Sequence, residues 1–147
     1  MKKLIVIISC IILFAVFNAP AQPQETKANL TFNLSGFADN SGQVLVQLFR
    51  KTDKVPTKPF KVIISQIANR NARVVIPEIE YGEYAAIIVH DQNANGHIDH
   101  SWGIPSEPLG YTNKWKLTVL SGMPTFEKLK FTFSESGNSQ SVEMKVK

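Results

Sequence analysis

Polar and apolar side chains alternate along most of this chain, and the period is two. Leu30, Phe32 and Leu34 are separated by Thr31, Asn33 and Ser35. That spacing sends three apolar side chains to one face of an extended segment and three polar ones to the other. Asp39-Asn40-Ser41-Gly42 follows as a turn cluster of short polar residues and glycine. A second strand is predicted around Val44, Val46 and Leu48. Residues 51–59, with Asp53, Pro56 and Pro59, read as a loop. Residues 60–67 and 72–76 are β-rich runs joined by Asn69-Arg70-Asn71. Residues 84–89 are apolar on both faces, the pattern of a central strand covered on both sides. Residues 91–113 have little periodicity. Residues 127–133 alternate again and are predicted as a strand, with Leu129, Phe131 and Phe133 pointing inward. A last strand sets Val142, Met144 and Val146 opposite Glu143, Lys145 and Lys147. No stretch sustains a helical period over three turns. About seven strands separated by turn signals predict an all-β fold, a β-sandwich of immunoglobulin-like or transthyretin-like type, with a closed barrel as the alternative.

The N-terminus follows a different rule. Lys2-Lys3 precedes an apolar run over residues 4–17, and Ala19-Pro20-Ala21 supplies small residues after it. A run of about 14 residues suits a secretory signal and falls short of the ~20 that a spanning helix needs. The expected organisation is therefore a signal peptide at residues 1–21, a mobile lead-in at 22–28 and one β-sandwich domain at 29–147. Export to the periplasm or the extracellular space follows, with no stable membrane span after cleavage.

Composition narrows the function classes. Apolar residues make up 44% and charged residues 19% of the 147, which excludes a disordered tail and a multispan membrane protein. The formal charge is +4, from 16 basic and 12 acidic residues. Removing Lys2 and Lys3 with the signal leaves 14 against 12, so no basic nucleic-acid binder is indicated. Cys10, the one cysteine, lies in the signal. The exported form then has no disulfide, no thiolate nucleophile and no cysteine-ligated metal.

The densest polar constellation is His90-Asp91-Gln92-Asn93-Ala94-Asn95-Gly96-His97-Ile98-Asp99. Oxygen-bearing side chains stand at alternate positions, Asp91, Asn93 and Asn95, and Gly96 comes next. This is the D-x-[DN]-x-[DN]-G start of a calcium loop. The reason is geometric. A tightly coiled loop points positions one, three and five at a common centre, and glycine at six takes the sharp turn with positive φ. The His97 carbonyl and the Asp99 carboxylate can complete the oxygen set. Position twelve is Trp102 rather than the bidentate glutamate of an EF-hand, and no helical pattern flanks the loop. Glu107 is the nearest carboxylate able to substitute, if the chain folds back at Pro105. So small a charge count predicts weak affinity, of order 10⁻⁴–10⁻³ M. A metal-free loop of Asx-turns is the competing reading.

Other chemistries have fewer residues behind them. His90, His97 and His100 are all the histidines of the chain and fall within eleven residues, so a zinc or copper site, or a metal-dependent enzyme built on it, is an alternative. Trp102, Tyr111 and Trp115 could form a platform for a glycan or peptide partner, or could close the end of a sandwich. No G-x-S-x-G serine and no phosphate-cradling glycine loop is present, and a non-enzymatic role is the leading expectation.

The motifs occur in an order that resembles one known family. Tyr81-Gly82-Glu83-Tyr84-Ala85 leads into His90-Asp91-x-Asn93-x-Asn95-Gly96-x-Ile98-Asp99. Gly103-Ile104-Pro105-x-Glu107-Pro108, Gly110-Tyr111-x-Asn113 and Pro124-x-Phe126 follow. The set is similar to the bacterial domain of unknown function 2141 family, over roughly residues 30–146. The resemblance implies a small exported bacterial β-sandwich with no established activity, and it implies the Asp/Asn/Gly loop and its neighbours as the site. Gln92 departs from the family pattern, where an acidic residue is common.

Overall fold

The protein is described by a computed structural model covering residues 26–118 and 120–144. The expected signal peptide lies outside the described residues. So do residues 22–25 of the lead-in and Lys145, Val146 and Lys147 of the expected last strand. In chain order the elements are β1 (Lys27–Ser35), β2 (Gln43–Phe49), β3 (Lys61–Ser65), β4 (Asn71–Glu80) and β5 (Gly82–Asp91). After them come β6 (His100–Ser101), β7 (Ile104–Pro105), β8 (Leu109–Tyr111), the helical turn α1 (Phe126–Leu129), β9 (Phe131–Phe133) and β10 (Ser139–Glu143).

The strands form a β-sandwich, and among the described residues no sheet closes into a barrel. One sheet has the order β10-β1-β4, and β1 runs parallel to β10 and antiparallel to β4. The second has the order β3-β2-β5-β8, with β9 also paired to β5. The period-two reading of β1 holds: Leu30, Phe32 and Leu34 are all buried. They meet Val44, Val46, Leu48, Ala86 and Ile88 from the other sheet and form the inter-sheet core. Each such fully buried aliphatic or aromatic side chain contributes roughly 1.5–3 kcal/mol. Lys27 and Ala28, expected in the lead-in, pair with Glu80 and Ile79 and belong to β1. β4 runs past its expected end because a bulge carries it beyond Pro77: Glu78 has φ 57°, and the register shifts between Ala28 and Leu30.

β5 is the central strand its sequence announces, buried on both faces. Tyr84, Ala86 and Ile88 face the inter-sheet core, while Ala85, Ile87 and Val89 face a second cluster with Leu45, Phe49, Tyr111, Phe126 and Leu129. That outer layer explains a correction. Residues 127–129, expected as strand, form a helical turn instead. Phe126 and Leu129, one turn apart, both bury on the outer face of β5. Lys128 Nζ donates to the Ser121 and Met123 carbonyls, tying the turn to the preceding loop. Only Phe131–Phe133 is strand.

β8 and β9 share one edge of β5. β8 pairs with Ile87 to Val89, and β9 pairs with Gly82 to Tyr84. The gap between them is closed by buried Thr112. Its hydroxyl accepts from Ala86 N at 2.9 Å and donates to Leu129 O at 2.6 Å. A side chain thus replaces the missing rung of the ladder.

Candidate functional site

The 91–99 loop leaves the C-terminal end of β5 where β2 begins, and the register sets Gln43 opposite Asp91. Asp91 has no exposed surface. Its carboxylate accepts from Gln43 Nε2 at 2.8 Å, Gly96 N at 2.7 Å and Asn95 N at 3.1 Å. Burial alone would raise its pKa, but the bonds from Gln43, Gly96, Asn95 and Ala94 outweigh burial and lower it. Gly96 has φ +80°, the conformation its position in the motif requires. Asn93 Oδ1 accepts from Asn95 N at 3.2 Å, and Asn95 Oδ1 accepts from His97 N at 2.8 Å. Each oxygen thereby caps the N–H two residues on, and the loop coils.

The expected ligand residues are brought together, with the two asparagine amides turned nitrogen-first to Asp99 and their oxygens on the loop's own N–H groups. Asn93 Nδ2 donates to Asp99 Oδ2 at 2.8 Å, and Asn95 Nδ2 reaches Asp99 Oδ1 and Oδ2 at 3.0 and 3.1 Å. The chain folds back after β7 and delivers buried Glu107 to the same network. Glu107 Oε1 accepts from Gln92 N at 3.1 Å and Oε2 from Asp99 N at 3.2 Å. Burial raises the Glu107 pKa. The two N–H groups pull it down, the charges of Asp91 and Asp99 push it up, and the net direction is upward. Among the described residues, no salt bridge gives Asp91, Asp99 or Glu107 a basic partner. Nor do three His, Cys, Asp or Glu side chains form a ready-made cage there. The donors are carboxylates and amides, hard oxygens that suit calcium better than zinc or copper.

The three histidines are placed differently from one another. His90 is fully buried, lies edge-on to Phe37 with ring centroids 5.3 Å apart, and has Nε2 2.9 Å from Ser41 O. His97 and His100 are exposed. Strand alternation separates His90 from its neighbour: its ring faces Phe37 between the sheets, while Asp91 turns to the loop.

The aromatic residues do not form one platform. Trp102 is 100% exposed at the tip of the β6–β7 hairpin, with φ 54° beside Gly103 at φ 77°. Tyr111 is buried, and Trp115 packs on it edge-on with centroids 4.8 Å apart. That pair belongs to the outer core cluster, the sandwich-closing role.

Two residues of this end were not legible as site residues. Gln43 holds Asp91 only because of the β2–β5 register. Gly42, in the 39–42 turn, has φ +65°, and a Cβ there would stand 2.0 Å from Asp91 O and 2.7 Å from Gln92 Cα. The loop's first peptide rests directly on the Gly42 backbone. A glycine in a turn cluster is a signal for tight backbone, but nothing local says what approaches it.

A two-sheet β-sandwich carrying an Asx-rich loop at the end of its central strand is the class that fold and site define. The family described as "Uncharacterized protein conserved in bacteria (DUF2141)" matches residues 32–141. The chain belongs to this family, as the order of its motifs led one to expect. No curated protein and no solved structure matches it.

Proposed function

We propose that the protein is an exported, non-enzymatic β-sandwich module whose 91–99 loop takes one calcium ion and thereby shapes one end of the sandwich for a partner or ligand. One observation carries this reading. Asp91, Asn93, Asn95, Asp99 and Glu107 belong to a single hydrogen-bonded network, and its three carboxylates have no basic partner among the described residues. Like charges so gathered repel, and a divalent cation relieves the repulsion. Calcium accepts six to eight oxygens at flexible geometry, and the His97 carbonyl adds one more donor to the side-chain set. Two donors are neutral amides, so the affinity belongs with extracellular modules, of order 10⁻⁴–10⁻³ M. The apolar run of residues 4–17 supports export to a compartment where such an affinity is useful.

The test is a thermal melt of the purified protein across a calcium titration. At about 10 mM calcium the linkage is roughly 1.4–2.7 kcal/mol for that affinity range. For a domain of this size that corresponds to a Tm rise of about 5–10 °C. The rise should vanish in chelator. Melts that superimpose in calcium and in chelator reject the reading.

A further inference from the structure

β8 ends the second sheet and β10 ends the first, and between these two edge strands lies a groove of about 790 Å³. That volume falls within the ~300–1,000 Å³ of small-molecule sites. One wall carries Leu109, Tyr111, Trp115 and Leu117, and the other carries Val142 and Met144. The walls touch over Gly110, where a Cβ would come within 2.8 Å of Met144 Sδ and 3.0 Å of Val142 Cγ1. The floor is therefore closed by direct contact between the sheets, and the apolar cleft above it opens to solvent.

The charges in the cleft are specific. Lys114 and Lys116 line it, both are exposed, and neither makes an ion pair or a side-chain hydrogen bond among the described residues. Glu107 also lines it, but both its oxygens are held by the N–H groups of Gln92 and Asp99. Glu143 is exposed and stands on the β10 wall. We propose that this groove binds a small amphipathic anion, a carboxylate on an aliphatic or arylalkyl body. The body lies along Leu109, Trp115 and Leu117, and the carboxylate meets Lys114 and Lys116. A neutral apolar ligand would leave the two lysines unused, and a cationic amphiphile would meet them as like charges. A sugar would find no flat platform, because Tyr111 is buried and engaged edge-on by Trp115. This site goes beyond the cation loop and stands whether or not that loop holds an ion.

Trp115 is a built-in probe. The chain has two tryptophans, and Trp102→Phe removes the fully exposed one. Decanoate titrated into that variant in chelator should change the Trp115 emission saturably. Decanol should bind more weakly, and decyltrimethylammonium and acetate weaker still. Replacing both lysines, Lys114→Gln with Lys116→Gln, should weaken decanoate about tenfold while leaving decanol unchanged. Glu143→Gln should tighten decanoate about two- to threefold by removing a like charge. Ser141→Phe, at an exposed position on the groove wall, should block decanoate while the thermal melt stays in place. The proposal is overturned if decyltrimethylammonium binds as well as decanoate. It is equally overturned if the double lysine variant or folded Ser141→Phe binds decanoate normally, or if decanoate gives no saturable change.

Discussion

Asp91→Asn tests the physical basis of the loop with a change of one atom. The carboxylate is fully buried and accepts from Gln43 Nε2, Gly96 N and Asn95 N. Asparagine keeps one acceptor oxygen and turns an NH₂ group toward at least one of these donors. If the oxygen stays with Gln43 and Gly96, which share Oδ2, the amide faces Asn95 N, which then keeps only its bond to Asn93 Oδ1. Losing that one bond to a charged acceptor costs roughly 1.5–3 kcal/mol. The two remaining bonds lose their charge assistance, about 0.5–1 kcal/mol each. The expected loss is about 2.5–5 kcal/mol, a large share of a domain stability of roughly 5–15 kcal/mol. Urea denaturation at neutral pH measures it. The pH dependence supplies a second check. The folded Asp91 pKa lies below its ordinary value of 3.8, so its contribution is complete above that value and is lost as pH falls through the lower folded one. The gap between the native protein and Asp91→Asn should therefore narrow on acidification below about pH 4. A loss under about 0.5 kcal/mol at neutral pH, or a gap that widens in acid, refutes the view that these bonds hold the loop.

Three other outcomes follow from particular contacts. Gly42→Ala should be strongly destabilising, by about 2 kcal/mol or more, because it adds a Cβ against Asp91 O at a left-handed residue; an unchanged urea midpoint argues against the close approach. Thr112→Val should cost about 2–4 kcal/mol, since it leaves both Ala86 N and Leu129 O buried without the hydroxyl, whereas Thr112→Ser should retain most of the stability. Burial pushes the Tyr111 phenol up to about 12, so an alkaline absorbance titration should show a tyrosine that ionises only near that pH. Because the folded pKa is raised, stability falls as pH rises through it, and a Tyr111 that ionises near its ordinary value of 10 would contradict its packing under Trp115.

Local alternation and composition determined much about this protein by themselves. The period of two in residues 30–35 and the two-sided apolar run of residues 84–89 define a strand buried on one face and a strand buried on both, because side-chain direction along a strand is a local property. The Asp/Asn/Gly spacing likewise specifies a coiled loop, since each Asx oxygen caps an N–H a few residues on: two residues away for Asn93 and Asn95, four and five for Asp91. Residues 127–133 show where such reasoning ends. Leu129 and Phe133 are both buried, as alternation predicts, but they bury in different layers, and only the presence of an outer face on β5 turns residues 126–129 into helix. Tertiary structure alone decided that Gln43 would hold Asp91, that Gly42 would lie under the loop, and that Glu107 would return to it. It also set β8 against β10 and opened the groove between them. Those contacts depend on strand register and on which edges meet, and both are fixed by packing between segments far apart in the chain.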